Sequence, residues 1–551
     1  MMKRIWGWIF RIFVLSVILL VAVSIVRAAE MTRLYVPIVE YQLTLTPSDT
    51  PTPTRTPTPT RTPTATATPT STPIANNPPA YSTSYYMRTT NPQTFYNLGC
   101  TKGKQDLKLA GAQDMVVVLD FGAPTNDGGV GADLFGLGPA TTGQIAKAVE
   151  QFGFGYVACV GADTSSHLRI GIGTSNYGDE VNIDTGSGWG TMVNTVNAWF
   201  KSQGYFARVD AVGASDIELS WNDPDTTLNW LDFYNNHSDY AFYDYGDAAG
   251  CPTFVYPNWT CNPPWTQEYV WYVAFGSGSS YPLPLIYSED GGNAQQWAML
   301  SRWAYNNHHV RMDFKGAFTQ WQACKQFPNG CGTGLDNTPA QGWQQLYNAL
   351  KTKTYTAQSL PWSTDIMWQG IPFASSLALS APQDEVSTLQ SLLINGRPDA
   401  QARGSLLKKL AIARQVAAAR LAGRNNPALQ AAQRLPPPQS APDAPMRSGI
   451  FPGDGGLFHA GQPVIINHWQ SVVDGQNIQV YAGSTGETPA GGVVIVMVTS
   501  PDRTQTTSQL YPAPSGTGPL TITAENGLDL TLQAQNGQQF NFDLQTRQFS
   551  Q

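Results

Sequence analysis

Charged residues are scarce in this chain, and their scarcity excludes one large class of partner. Aspartate, glutamate, lysine and arginine make up only 13% of the 551 residues, and the net charge is −7. Nucleic-acid binding requires clustered lysine and arginine, because much of its affinity comes from neutralising phosphates. The sequence contains no such basic stripe, so we expect no nucleic-acid partner.

The motifs of common metal and cofactor sites are also missing. The six histidines include no pair at the i, i+4 spacing of an HExxH zinc site. The cysteines form no CxxC pair. A GxSxG elbow, a phosphate-binding GxxxxGK[ST] loop and a GxGxxG followed by a helix are absent as well. We therefore expect no cofactor and no bound metal.

Only one long apolar run exists, and it lies at the N-terminus. Lys3 and Arg4 precede the 15 residues Ile12–Val26, and Ala28 stands where a signal peptidase requires a small residue. The run is short for a membrane span, which needs about 20 apolar residues. Residues 1–28 are interpreted as a signal peptide, with an uncleaved anchor as the alternative. Either way the chain is expected to be secreted or at the cell surface, and to meet a membrane only through this segment.

The cysteine count agrees with export. An even number of cysteines in an exported protein predicts disulfides rather than free thiols. The sequence alone cannot fix their pairing, but the two short spacings favour Cys251 with Cys261 and Cys324 with Cys331. That choice leaves Cys100 and Cys159 for the third bond.

Residues 29–80 form a linker rich in proline and threonine. Proline fixes φ and removes a hydrogen-bond donor, so residues 46–73 are expected to be an extended spacer rather than helix or sheet. This stretch, together with Arg33–Val39 before it, resembles linkers in exported proteins of filamentous Chloroflexi-type bacteria. That resemblance is limited to the linker.

Strand-like and helix-like segments alternate over residues 81–380. Repeated alternation of this kind predicts a parallel sheet, and seven or eight strands favour a (β/α)8-like TIM-type barrel over an open sheet. The predicted strands are Met115–Asp120, Tyr156–Val160, His167–Thr174, Phe206–Val212, Tyr240–Tyr245, Leu283–Ser288, Val310–Phe318 and Asp365–Gln369. The segment Pro339–Lys351 is a predicted helix capped by Thr338.

Two further regions follow the predicted barrel. Residues 381–446 are expected to be a helical connector and a Pro-rich linker, because Ala, Leu, Gln and Arg dominate before Pro436–Pro438. Residues 447–551 are rich in strands and glycine turns, with period-2 alternation in Leu528–Leu532. They are predicted to form a small all-β module.

Five acidic residues lie at or just beyond the ends of predicted strands, where a parallel barrel carries its functional site. Glycoside hydrolysis needs two carboxyl groups, one protonated and one ionised. The spacing of Asp216 and Glu218 places both side chains on one face of a strand. Each acid has a structural alternative as a loop cap or salt-bridge partner. The candidate catalytic residues are Glu218, Asp216, Asp120, Glu289 and Asp244, and the candidate sugar-binding residues are Trp221, Tyr243, Tyr245, Tyr287, Trp368 and Gln369.

Three of these motifs resemble a known family. Leu119-Asp120 at the end of the first predicted strand, Asp216-Ile217-Glu218 on a central strand and Trp368-Gln369 on the last strand are similar to the GH25 lysozyme family and related glycoside-hydrolase-like domains. The resemblance implies that Glu218 is the catalytic acid, with Asp216 and Asp120 as charge-stabilising or positioning partners. The sequence departs from the family in Phe121–Pro124, in its cysteines and in its long loops.

The sequence therefore predicts an exported glycoside hydrolase that acts on peptidoglycan or another polysaccharide. One alternative is a non-catalytic surface protein that uses a hydrolase-like barrel to bind carbohydrate or a partner, because fold does not fix function. Another is an adhesion protein in which the C-terminal β module dominates.

Overall fold

Eight parallel strands form the central sheet. The computed structural model describes residues 77–109, 111–161, 163, 165–254, 260–327, 331–332, 334–371, 384–458, 463–485, 491–514 and 516–550. The predicted signal peptide and almost all of the linker lie outside these residues. The strands of this region are β1 (Tyr81–Tyr86), β2 (Asp114–Asp120), β3 (Ala123–Thr125), β4 (Gly131–Asp133), β5 (Pro139–Thr141), β6 (His167–Ser175), β7 (Val209–Asp216), β8 (Phe242–Asp244), β9 (Ser280–Pro282), β10 (Gly316–Thr319) and β11 (Trp362–Trp368).

The parallel sheet is nearly closed into a barrel. Its strands are ordered β10-β11-β1-β2-β6-β7-β8-β9, and every neighbouring pair is parallel. At the open seam, Leu285, three residues beyond β9, forms a single β-bridge with Phe318 of β10. Strands β3, β4 and β5 form a separate three-stranded antiparallel sheet after β2.

Helices connect successive strands of the central sheet. Those of the barrel are α1 (Pro92–Leu107), α2 (Thr142–Cys159), α3 (Ile183–Ser202), α4 (Pro224–His237), α5 (Gln267–Trp271) with the π-helical turn Tyr272–Gly276, α6 (Gly292–His308), α7 (Trp321–Gln326) and α8 (Pro339–Lys351). Strands β2, β6 and β7 are buried at every position. Burial on both faces explains why their sequences are mostly apolar without alternation.

Local sequence signals set the helix boundaries. Helix α8 begins and ends where the sequence predicts, and the Thr338 hydroxyl accepts a hydrogen bond from the Gln341 backbone N–H. The Gln341 side chain accepts one from the Thr338 N–H in return, which completes a capping box. At α4, the Asp223 carboxylate caps the helix and Pro224 occupies its first turn.

The three disulfides join the pairs that the spacing favours. Cys251 bonds Cys261 and Cys324 bonds Cys331, while Cys100 links α1 to Cys159 at the end of α2. The sequence-based pairing is therefore confirmed.

Three predictions about the strands are wrong. Tyr156–Val160 was predicted as a strand, but Tyr156 to Cys159 form the end of α2. A short apolar run does not distinguish a strand from a buried helix, and α2 is apolar because α1 packs closely against it. A Cβ added to Gly99 of α1 would lie 1.9 Å from the Phe152 carbonyl oxygen. The second error is the omission of β1, so Asp120 ends the second strand and not the first.

The third error is the predicted strand Leu283–Ser288. The strand of this region is β9, Ser280–Pro282, and within the predicted segment Leu285 alone forms a β-bridge, with Phe318.

The helical connector closes the N-terminal end of the barrel. It comprises α9 (Glu385–Asn395), α10 (Ala400–Gly423) and α11 (Pro427–Ala432). Glu385 forms ion pairs with Lys315 at 2.9 Å and with Arg169 at 3.5 Å. Arg420 of α10 pairs with Asp210 at 3.0 Å. Since Arg169 and Asp210 lie near the first residues of β6 and β7, these contacts lie at the opposite end of the barrel from Asp120 and Asp216.

Residues 447–550 form two antiparallel sheets that pack face to face. The five-stranded sheet contains β12 (Gly449–Pro452), β13 (Val464–Val473), β14 (Gln476–Ser484), β15 (Gly492–Thr499) and β16 (Thr506–Pro512). The four-stranded sheet contains β17 (Leu520–Asn526), β18 (Asp529–Ala534), β19 (Gln539–Asp543) and β20 (Gln548–Ser550). We call these residues the β-rich module.

The five-stranded sheet packs on both of its faces. Val494 and Val496 of β15 lie in the core between the two sheets. The alternate residues Val493, Ile495 and Met497 belong to the same hydrophobic core as the barrel. The period-2 geometry of β15 therefore joins the β-rich module to the barrel through one continuous apolar core.

Two buried arginines connect the β-rich module to the barrel loops. Arg88, which follows β1, is 0% exposed and donates to Gln479 at 2.6 Å and to Thr506 at 2.8 Å. Arg503 of the module donates to the Leu137 carbonyl oxygen at 2.6 Å. Both arginines lie at the C-terminal end of the barrel, so the module packs beside the barrel mouth.

Among the helices of the described residues, none is both long enough and apolar enough for a membrane span.

Candidate functional site

Acidic side chains from neighbouring strand ends meet at the C-terminal mouth of the barrel. Asp120 is the last residue of β2, Asp216 of β7 and Asp244 of β8. Glu218 lies two residues beyond β7, and Asp247 lies three residues beyond β8. We call these five residues the acid cluster. All except the half-buried Glu218 are at most 2% exposed.

Mutual repulsion and burial make protons hard to remove from this cluster. Burial raises the pKa of Asp216 well above its usual range, and the charges of Asp120, Asp247 and Asp244 raise it further. None of the five carboxyl groups forms an ion pair with a lysine, arginine or histidine of the described residues. Interacting carboxyl groups without cations share protons, so some stay neutral where isolated acids are ionised.

Glu218 and Asp247 form the most accessible pair of the cluster. Their side chains hydrogen-bond to each other, and burial, then the charge of Asp247, raise the pKa of Glu218 well above its usual range. The Tyr287 hydroxyl donates to Asp247 Oδ2 at 3.3 Å. A hydrogen bond to Asn176 fixes the backbone N–H of Glu218. The pair therefore combines a protonated carboxyl group with an adjacent carboxylate.

Asp120 and Asp244 lie deeper in the mouth. Burial raises the pKa of Asp120 to about 7, although its hydrogen bonds with the Gly122 N–H and Tyr245 oppose the shift. Burial likewise raises the pKa of Asp244 to about 8. Asp216 Oδ1 is buried and has no hydrogen-bond partner among the described residues. A buried carboxyl oxygen without a protein partner is unusual in native structures.

Aromatic side chains form two groups around these acids. Trp368 stacks on Tyr86 with ring centroids 4.3 Å apart, and both rings are almost fully buried. Trp221 and Tyr177 form a T-shaped pair at 5.7 Å, and both are partly exposed. Of these two pairs, the second therefore offers an aromatic surface to a ligand.

A small cavity joins the acids to one of these pairs. It measures about 10 Å³, roughly the size of one water molecule. Its lining includes Asp120, Asp216 and Trp221 of the barrel and Gly456 of the β-rich module. The module thus forms part of the wall beside the acid cluster.

The structure brings together most of the predicted site residues. Asp120, Asp216, Glu218 and Asp244 belong to the acid cluster, Tyr245 hydrogen-bonds Asp120 and Tyr287 hydrogen-bonds Asp247. One detail of the prediction is wrong, because β7 ends at Asp216 and Glu218 lies beyond the strand.

Three predicted residues lie away from the acid cluster. Glu289 is exposed and hydrogen-bonds Asp336. Tyr243 is 0% exposed and accepts a hydrogen bond from Arg169 at 2.7 Å, toward the N-terminal end of the barrel. Gln369 donates to the Arg503 carbonyl oxygen at 3.0 Å and so contacts the β-rich module.

Sequence reasoning missed two residues at the mouth. Asp247 lies three residues beyond the end of β8. The rule that selected acids at strand ends would have found it if it had included the first three residues after each strand. Gln320 follows β10, and both polar atoms of its side chain are buried without a hydrogen-bond partner among the described residues. Phe318 packs on Tyr245, and strand alternation places Gln320 on the same inward side. No sequence signal distinguishes this glutamine.

No group of three or more histidine, cysteine or acidic residues within the described ranges is arranged to hold a metal ion. Comparison with family models, with curated proteins and with solved structures finds no match for this chain.

Proposed function

We propose that this protein is an exported glycoside hydrolase that acts on cell-wall glycan or another polysaccharide through the acid cluster. The observation that carries the proposal is the Glu218–Asp247 pair, in which a partly buried carboxyl group retains its proton because of burial and of a neighbouring acid. Its position at the C-terminal mouth of the barrel supports a TIM-type (β/α)8 assignment, in which sites occupy that face. Export is supported by the three disulfides.

The acid cluster contains the groups that the reaction needs. Glu218 donates its proton to the glycosidic oxygen as the bond to the sugar carbon breaks. The adjacent carboxylate of the cluster, Asp247, stabilises the positive charge that develops on the ring or removes a proton from the attacking water. Asp120 and Asp244, whose pKa values burial raises to about 7 and about 8, add negative charge near the site only as the pH rises through these values.

Replacement of one carboxyl group tests this proposal. Glu218→Gln keeps the size of the side chain but removes the transferable proton, so we expect hydrolysis of peptidoglycan and of common polysaccharides to fall at least about a hundredfold. The assay is the release of reducing ends by the purified chain. Thermal unfolding should be unchanged.

Glu289→Gln is the matched control, because Glu289 is exposed and lies outside the acid cluster. It should retain the rate of the unsubstituted chain. Equal rates for Glu218→Gln and the unsubstituted chain would remove Glu218 from the mechanism.

A second function is favoured by one observation. The cavity beside Asp120 and Asp216 has room for about one water molecule and not for a sugar ring. A barrel with a closed mouth fits a non-catalytic surface protein that binds carbohydrate at the partly exposed Trp221 and Tyr177. In that case Glu218→Gln changes no rate, because no hydrolysis occurs in either chain.

A further inference from the structure

Helix α10 of the connector reverses the charge balance of the chain. Its 24 residues contain three arginines, two lysines and no aspartate or glutamate, whereas the whole chain has a net charge of −7. A helix of this length extends about 36 Å. The connector therefore places a positive region on an otherwise acidic protein.

Packing against the barrel fixes which side of α10 faces outward. Leu406 and Leu410 are buried in the hydrophobic core that the helix shares with the barrel. The buried ammonium group of Lys409 donates to the Phe275 carbonyl oxygen at 2.8 Å. Because these contacts hold one side of the helix against the barrel, the opposite side is turned away from it.

The opposite side of α10 carries exposed arginines and leucines together. Leu407 is 49% exposed and Leu421 is 67% exposed. Six exposed residues share this side, since spacings of three and four positions place them on about a quarter of the helix circumference. We call them the outer face of α10: Arg403, Leu407, Ala411, Arg414, Ala418 and Leu421.

This outer face differs from that of an ordinary surface helix. A helix on a globular protein is normally apolar toward the core and polar toward solvent. Helix α10 has leucines on both sides, and Arg403 and Arg414 form no ion pair with any acid of the described residues. Of the eleven large apolar side chains that are exposed in the described ranges, four belong to the connector: Ile394, Leu407, Leu421 and Leu435.

We propose that the outer face of α10 docks on the surface of an anionic lipid membrane. Its arginines attract the phosphate groups of such a surface, and its leucines enter the boundary between the headgroups and the acyl chains. The sequence alone indicates a membrane contact at the N-terminal segment, and this face adds a second contact on the folded part of the chain. The inference is independent of the acid cluster.

Charge and spacing favour a lipid surface over other partners. A second copy of the chain would bring its own arginines to the same face, and like charges repel. Arg403 and Arg414 lie 11 positions apart, about 16 Å along the helix, so the face is not the continuous basic stripe that a nucleic acid requires. A dissolved acidic polysaccharide has no apolar layer for the leucines, whereas a membrane offers negative charge and an apolar layer together.

A fluorophore on the outer face tests this contact at a defined position. All six cysteines form disulfides, so Ala418→Cys supplies a single thiol for labelling with nitrobenzoxadiazole, whose emission rises in an apolar environment. The matched control is Ala340→Cys, because Ala340 is an exposed alanine of α8, outside the connector. Each labelled full chain is mixed with phosphatidylcholine vesicles, with or without about 30% phosphatidylglycerol.

We expect the emission of the Ala418→Cys label to rise with the phosphatidylglycerol vesicles and to stay unchanged with phosphatidylcholine alone. The Ala340→Cys label should respond to neither. An equal response of the two labels, an equal response to both kinds of vesicle, or no response to phosphatidylglycerol would each overturn the inference.

Removal of charge from the outer face gives a second test. Adding Arg403→Gln and Arg414→Gln to the labelled Ala418→Cys chain should weaken vesicle binding about tenfold or more, because two cations near the anionic surface are lost. The charge-matched control replaces Lys104 and Lys147 by glutamine, since both are exposed and lie on α1 and α2. It should bind as before, and an equal loss in this control would contradict the proposal.

Two further measurements with the Ala418→Cys label separate the other partners. A rise in emission with protein concentration alone, without vesicles, would assign the outer face to a second copy of the chain. A rise with dissolved polygalacturonate equal to that with vesicles would assign it to an acidic polymer. Either result would overturn the assignment to a lipid surface.

Discussion

The protonation of Asp120 couples the candidate site to the stability of the fold. In the unfolded chain its carboxyl group ionises near its ordinary pKa of 3.8, whereas burial raises the pKa in the folded chain to about 7. Between these values the folded chain binds more protons than the unfolded chain. The free energy of unfolding therefore falls as the pH rises through this window.

Asp120→Asn should remove this part of the pH dependence. Asp120 alone lowers the free energy of unfolding by about 2.5 kcal/mol between pH 5 and pH 8, from a linkage of about 1.4 kcal/mol per pKa unit. Urea unfolding of the unsubstituted chain and the variant at both pH values measures the difference. The exposed Asp239 provides a control, Asp239→Asn, which should keep the full dependence. If the free energy of unfolding of Asp120→Asn falls between pH 5 and pH 8 by as much as that of the unsubstituted chain, the account is contradicted.

At the same scale, the sequence could predict that Asp120, Asp216 and Asp244 lie at the barrel mouth, but not how deeply they are buried. Asp120, Asp216 and Asp244 were recognisable because each follows an apolar run. Glu289 follows a similar run, yet it is exposed and points to Asp336. The difference arises from where β9 ends, at Pro282, which leaves Glu289 in a loop beyond the barrel mouth.

Helix α9 contributes an ion pair that sequence reasoning did not anticipate. Glu385, its first residue, contacts Lys315 and Arg169 across a sequence distance of 70 and 216 residues. These cations hold the pKa of Glu385 at about 2, below its ordinary value of 4.5. A depressed carboxyl pKa stabilises the fold above about pH 4.5, and this contribution disappears as the pH falls through the folded pKa.

Glu385→Gln should therefore destabilise the folded chain at neutral pH. Removing one partner from a buried ion-pair network costs about 3 kcal/mol, because the remaining cations lose their compensation. Chemical denaturation at pH 7 measures the loss, and repeating it near pH 2 should show a much smaller one. Asp239→Asn again serves as the exposed control. Stability at pH 7 equal to that of the control would show that α9 does not brace the barrel.

Elements with strong local signals were predictable, and those defined by tertiary contacts were not. Thr338 and Asp223 mark the starts of α8 and α4 through their capping chemistry. In β18, Leu530 and Leu532 are buried while Asp529 is exposed, as the period-2 pattern indicates. The apolar end of α2 carries no such signal, because burial against α1 makes a helix as apolar as a strand.

For the whole molecule, the sequence indicated three regions but not how they join. Val493, Ile495 and Met497 of β15 join the barrel core, so both faces of this strand are apolar. An apolar sequence of this kind is equally typical of an interior strand in an independent module, so Gly492–Thr499 does not indicate the contact with the barrel. The sequence does not indicate that Arg88 connects the two regions either, because its partners Gln479 and Thr506 are about 400 residues away in sequence. Only the folded chain shows that the module forms part of the barrel mouth.

Acids from β2, β7 and β8 meet because these strands lie close together in the parallel sheet, in the order β2-β6-β7-β8. The central claim is that this arrangement creates a coupled site in which Glu218 stays protonated and acts as the acid. Asp247 raises the pKa of Glu218 by its charge and by its hydrogen bond. Loss of that charge should therefore lower the pKa of Glu218 and leave the rest of the cluster in place.

The most direct test is the pH profile of kcat/KM for glycan hydrolysis by the unsubstituted chain and by Asp247→Asn. Hydrolysis requires protonated Glu218, so the rate of the unsubstituted chain should fall only at a pH well above the ordinary pKa of a glutamic acid. In Asp247→Asn this alkaline limb should move to lower pH by about one unit or more. An alkaline limb that stays in place or moves to higher pH, or the absence of hydrolysis by the unsubstituted chain, would contradict the account.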